Sequence, residues 1–224
     1  MSIQIPLFEQ LCPLLLRVEG SCVPREGESL EQAFNRCREQ AYSNYRADKG
    51  GHTFMGITLR TFKAWQELSG YAKEPTPENL KAISYLDWRA IVRFFYFEPI
   101  LVEKMPFHGV GLMVADYYFH SGNTAIRRLQ QLLNDMDKAV PPHCHWQPLK
   151  VDGILGRKTL HAFLRQQKLR HHAEALIHNI DADRREFLNG LCDRNFAYEA
   201  FRRGWMNRCD ITFQTALEAD PEDS

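Results

Sequence analysis

Residues 109–119 read GVGLMVADYYF and are apolar on nearly every side. A helix with no polar face has to be surrounded, so this run predicts a central buried helix. His120-Ser121-Gly122-Asn123 breaks it, and amphipathic segments flank it. Downstream, Ile126, Leu129, Leu132 and Leu133 mark one helix face. Upstream, Leu11, Leu14, Leu15 and Val18 repeat at helical spacing across 7–19. Ser29 and Gln32 form a capping-box pattern ahead of Leu30, Ala33, Phe34, Cys37 and Ala41. A helix starting near Thr58 carries Leu59, Phe62, Ala64 and Trp65, and Thr76-Pro77 is an N-cap followed by proline at N1. Asp87 reads as the cap of a helix holding Ile91, Phe94 and Phe95. Further helices are predicted from Lys158, over 170–179 and over 182–209. Strand signal is confined to a short hairpin near 51–57. The fold class is mostly α.

The 224 residues carry 28 basic and 28 acidic side chains, which excludes a strongly basic nucleic-acid binder or membrane-surface protein. Hydrophobic residues are 44%, enough for a sizeable core. No apolar run approaches the roughly 18 residues of a membrane span. The first five residues are uncharged, and Glu9 and Pro13 interrupt the apolar stretch that follows, so the opening reads poorly as a signal peptide. The six cysteines, at 12, 22, 37, 144, 192 and 209, follow no disulfide framework and read as reduced thiols. His143-Cys144-His145 resembles metal-binding sequence, yet no second cluster has zinc-ligand spacing. No metal or organic cofactor is expected.

Glu19 is the first candidate for chemistry. On a helical wheel it lies about 40° from Leu15, at the edge of the apolar stripe. A carboxyl half-buried against apolar groups has its charged form disfavoured, which suits a general acid. A solvated glutamate at a helix end fits the same pattern. Glu39 lies about 160° from Cys37 on its own helix and points away from the stripe. Asp48-Lys49-Gly50-Gly51-His52-Thr53, followed by Gly56-Ile57-Thr58, pairs glycines that let a ligand approach the backbone with groups able to order water or bind sugar hydroxyls. A tight turn with an Asx hydrogen bond fits these residues as well.

Several stretches together resemble the glycoside hydrolase family 108 N-acetylmuramidases, which are endolysin-like. Residues 8–21, ending Glu19-Gly20-Ser21, are similar to the family's first helix and E-G-G box. Residues 48–58 resemble its D-x-G-G-x-T-x-x-G-I-T box, and Phe95-Tyr96-Phe97-Glu98-Pro99 its aromatic segment. Asp116 to Gly122 resembles D-x-x-x-N-S-G, with His120 in place of asparagine. Asp152-Gly153-Ile154-Leu155-Gly156-Arg157-Lys158-Thr159 resembles the D-G-x-x-G-x-x-T motif of a peptidoglycan-binding region, and 203–208 the G-W-x-x-R helix. Two departures stand out. Ser21 replaces a glycine, and Glu39, not Glu19, stands eleven positions before Gly50, the family's spacing. An insertion over about 22–43 reconciles the two and leaves Glu19 in the catalytic place.

The resemblance implies a lysozyme-like helical fold and cleavage of the β-1,4 bond between N-acetylmuramic acid and N-acetylglucosamine. It implies Glu19 and Asp48 as catalytic residues. Gly50, Gly51, Thr53, Thr58, Asp116 and Tyr117 are then the substrate contacts. Tyr45, Trp65, Tyr117 and Tyr118 are candidates to stack on sugar rings, though core packing explains most of them. Retention or inversion turns on a carboxylate separation that no sequence carries. The expected layout is a catalytic region over 1–137, a peptidoglycan-binding-like region over 138–215 and an acidic, disordered tail over 216–224. The expected partner is the peptidoglycan glycan strand, met by a monomer. No nucleic acid and no integral membrane segment are expected. Synthesis in a bacterial cytoplasm followed by action on the periplasmic wall fits this reading. An inactive peptidoglycan-binding or secretion-accessory protein is the alternative.

Overall fold

The computed structural model describes residues 5–44, 51–70, 73–139, 147–168 and 170–220. The chain divides into two compact units, one formed by Leu11–Phe95 and the other by Met1–Gln10 with Tyr96–Ser224. No helix among the described residues is long and apolar enough to cross a membrane.

The first unit takes most of α1 (Leu7–Gly20), then α2 (Leu30–Arg36), a small antiparallel sheet, α3 (Leu59–Ser69), α4 (Pro77–Lys81) and α5 (Tyr85–Val92). Helix α1 buries Leu11, Leu14, Leu15 and Leu16 despite the proline inside it. The Ser29–Gln32 capping box forms as expected. Helix α2 is shorter than its apolar stripe suggests, because a disulfide between Cys22 and Cys37 ends it and the chain is then drawn into the sheet. That bridge corrects the expectation of six reduced thiols. Cys12, Cys192 and Cys209 are buried and form no disulfide, and Cys144 lies outside the described residues.

Strands β1 (Tyr42–Asn44), β2 (His52–Phe54) and β3 (Ile57–Thr58) pair in that order, so the expected hairpin gains a third strand. Thr58 closes the sheet and caps α3, its hydroxyl accepting from Thr61 N–H at 3.1 Å. Thr76 and Pro77 open α4 as read. Helix α5 is capped by Ser84. Asp87 supplies the other half of that box, which corrects its assignment as the N-cap.

The second unit is built on α6 (His108–Ser121), buried along nearly its whole length as its composition requires. Around it lie α7 (Asn123–Lys138), α8 (Arg157–Gln166), α9 (Arg170–Arg194) and α10 (Glu199–Glu218). The last two correct the expected break near 180. The break comes at Asn195, whose side chain accepts from Ala197 N–H at 3.1 Å. Nor is the acidic tail wholly loose. Asp220 accepts from the first N–H groups of α6, His108 at 2.9 Å and Gly109 at 2.8 Å. A carboxylate there satisfies orphan donors and meets the positive helix end.

Candidate active site

In the sheet of the first unit, Ser43 stands opposite Thr53, and Thr53 opposite Thr58. Three hydroxyl residues therefore cross the sheet in one row, all half-buried. Alternation puts Phe54 and Ile57 on the other face, where both are fully buried. Thr58 is occupied by its cap, and Thr53 donates to Gly51 O at 3.3 Å. Sequence reasoning missed Ser43, which becomes a candidate only once the register is known.

Helix α1 ends against Ala41 and Met55, which flank the paired strands. Ala41, two residues before Ser43, faces Met55, whose N–H donates to Ala41 O at 3.2 Å. Gly20 rests on that pair. A Cβ on Gly20 would lie 3.4 Å from Ala41 Cβ and 2.5 Å from Met55 Sδ. Met55-Gly56 is the β2–β3 turn, with φ of 46° and 77°, the double positive of a tight hairpin. Met55 is fully buried, and Trp88 Nε1 donates to its carbonyl at 3.0 Å. The turn thus tucks beneath the helix end.

Glu19, one residue earlier, is half-buried at this junction. Ser21, one residue later, takes the left-handed conformation at φ 49°, and Gln40 Nε2 donates to Gly20 O at 3.0 Å. The chain leaves α1 at Gly20 and returns to the same spot at Gln40. The excursion between is closed by the Cys22–Cys37 bridge. Glu39 is exposed and paired with Lys81. Asp48, Gly50 and Tyr45 lie outside the described residues, as do His143, Cys144 and His145. Gly51 adjoins the row, of which Thr53 is the middle member. Trp65 packs edge-on against Phe94 and Phe95.

Asp116 and Tyr117 belong to α6 in the second unit and have no exposed surface, which corrects their expected part in binding substrate. Asp116 accepts from Arg184 Nη1 at 2.7 Å, Arg208 Nη2 at 2.6 Å and Thr212 Oγ1 at 2.8 Å. Burial works to raise its pKa, but the two guanidinium groups outweigh burial and hold it well below the usual carboxylate range. The cluster ties α6 to α9 and α10. His120, beside it, is held neutral by burial and then by the same two arginines. Tyr117 donates to Asp183 at 3.4 Å, and burial pushes its phenol up.

The Asp152–Thr159 motif is likewise an internal clamp. Gln130 Nε2 donates to Asp152 at 2.9 Å and Ile154 O at 3.0 Å, while its Oε1 accepts from Gly153 N–H at 2.9 Å. Gly153 sits at φ 82°, and a Cβ there would meet Asn123 O at 2.9 Å. Among the described residues no group of three or more His, Cys, Asp or Glu has the arrangement of a metal site.

Comparison with known families decides the class. Residues 34–122 match the family described as Glycosyl hydrolase 108, and residues 124–210 match the Predicted Peptidoglycan domain. The chain carries a glycosyl hydrolase 108 domain and is a glycoside hydrolase. The two matched regions together make the hydrolase one of peptidoglycan. The solved structure of Brucella abortus SagA is similar to it, with a TM-score of 0.61 at 27% identity over 82% of this chain and 88% of that one. No curated protein matches the hydrolase in sequence. The first matched span opens at residue 34, so it includes Glu39 and leaves out Glu19.

Proposed function

We propose that this hydrolase cleaves the β-1,4 bond between N-acetylmuramic acid and N-acetylglucosamine, with Glu19 as the general acid. One observation carries the reading: the end of α1 rests on Ala41 and Met55, two residue positions from the Ser43–Thr53–Thr58 row. Two residues of strand span about 7 Å, so on this reading half-buried Glu19, the neighbour of Gly20, lies near the hydroxyl row. Glu19 protonates the glycosidic oxygen as the ring becomes oxocarbenium-like. Asp48 supplies the second carboxylate, and Thr53 and Ser43 bind ring substituents. The closed excursion between Gly20 and Gln40 supports treating 22–43 as an insertion, while the family match, which already covers 34–43, supports Glu39 as the competitor.

The test is reducing-end release from purified peptidoglycan. Glu19→Gln should lose ~10²–10⁴-fold, the usual worth of a general acid. Glu39→Gln, which removes only an exposed ion pair, should stay near the parent. The opposite pattern, in variants that melt like the parent, transfers the role to Glu39. Ser21 in place of glycine favours one second reading, an inactive binder. Sedimentation of the parent chain with sacculi, with no new reducing ends, would establish it.

A further inference from the structure

We propose that the groove between α8 and the extended segment 147–150 binds the carboxylates of peptidoglycan's peptide stems. The inference rests on peptidoglycan being the substrate, and not on which glutamate cuts it. The groove encloses about 450 Å³. Leu149 and Ala162 form its apolar part, and Lys150, Lys158 and Arg165 supply charge, with His161 between them. Lys158, His161, Ala162 and Arg165 follow i, i+3, i+4, i+7 along α8, so one helix face presents the basic groups. The opposite face holds Leu160 and Phe163 in the core.

Among the described residues, the lining contains no carboxylate, and its one aromatic ring is the imidazole of His161. The one acidic residue between 140 and 168 is Asp152, committed to Gln130 and to Ile154 N–H, with Lys150 nearby. The wall of the basic groove is also fixed in advance. Asn134 donates to Leu149 O at 2.9 Å and accepts from Leu149 N–H at 2.7 Å. Less ordering entropy is then lost on binding.

The chemistry selects the part of the polymer. Glycan strands present neutral hydroxyl and acetamido groups, which a row of three cations matches poorly. The peptide stems carry the free carboxylates, and a row of cations one and two helical turns apart recognises several of them at once.

The test uses the full chain carrying Glu19→Gln, so that nothing is cut during titration. Three probes are compared: a disaccharide-tetrapeptide muropeptide, the same molecule with its carboxylates amidated, and N-acetylchitotetraose. The muropeptide should bind best, with affinity falling as salt rises. Amidation should weaken it by ~10-fold, as should adding Lys158→Glu with Arg165→Glu. The neutral pair Lys158→Gln, Arg165→Gln should fall between, which separates charge from misfolding. Chitotetraose binding should not respond to either pair. Equal binding of the amidated muropeptide, an unmoved affinity in the reversed variant, or equal binding of duplex DNA would each overturn the inference. Reducing-end release by the chain with Glu19 intact reads the hydrolase proposal separately. Binding without cutting keeps the groove, and cutting without carboxylate preference removes it.

Discussion

Replacing Ser21 by glycine should stabilise the protein, although it deletes a side chain. Ser21 follows the last residue of α1 at φ 49°, where a residue with a Cβ pays roughly 1–2 kcal/mol. Glycine removes that strain but returns roughly 0.5–1 kcal/mol of entropy to the unfolded chain. The Ser21 side chain is exposed and makes no hydrogen bond among the described residues, so nothing else is forfeited. The net gain is about 0.5–1 kcal/mol, and 1 kcal/mol is worth about 2–4 °C in Tm for a chain of this size. One position earlier the sign reverses. A methyl on Gly20 would press within 2.5 Å of Met55 Sδ, in a buried spot with Ala41 on the other side. Gly20→Ala should therefore cost about 1–3 kcal/mol of overpacking. Thermal unfolding followed by circular dichroism, with both variants beside the parent, measures the pair. A Ser21→Gly variant that melts at or below the parent temperature, or a Gly20→Ala variant that melts with it, would refute the placement of the helix end on the sheet.

The Asp116 cluster makes stability pH-dependent in two stages. Folded His120 and His108 refuse protons that the unfolded chain accepts below pH ~6.5, so stability declines first there. The Asp116 contribution is complete above the unfolded aspartate value of ~3.9 and is lost as pH falls further. Urea melts across pH should show both stages, and His120→Asn should flatten the first. Asp116→Asn leaves two buried arginines without their carboxylate and should cost about 3–5 kcal/mol at neutral pH by the same melts. Gln130→Leu strips the partners from Asp152, Gly153 and Ile154 and should cost about 3 kcal/mol, read by hydrogen exchange at Gly153 N–H. Cys37→Ser opens a loop with a separation of 15 residues and should cost about 3 kcal/mol, matched by reduction of the parent and absent when the variant is reduced.

Local signals were legible where a cap or a stripe lies within one turn. Ser29, Thr58 and Thr76 cap the helices they were expected to open, because each bond joins residues three apart. The same rule misled at Asp87, since a capping box presents two polar residues and only backbone geometry says that Ser84 leads. In α9 the polar stretch around Asp181 and Asp183 interrupts the apolar signal without ending the helix. Asp181 pairs one turn along with Arg185, and Asp183 pairs with Arg128. A three-residue strand such as β1 is too short to show a period.

The sequence by itself determined which segments are helical, that α6 is central and that the order of motifs is a hydrolase followed by a peptidoglycan region. Hydrophobic period and capping chemistry act over a few residues and survive in one dimension. Only the tertiary structure decided that the chain leaves α1 at Gly20 and returns to it at Gln40, and that Ser43 shares a row with Thr53 and Thr58. It also turned Asp116 from a candidate ligand into a buried anchor, through partners 68, 92 and 96 residues away. Charge pairing at such separations depends on which helix faces pack together, and no local spacing encodes that.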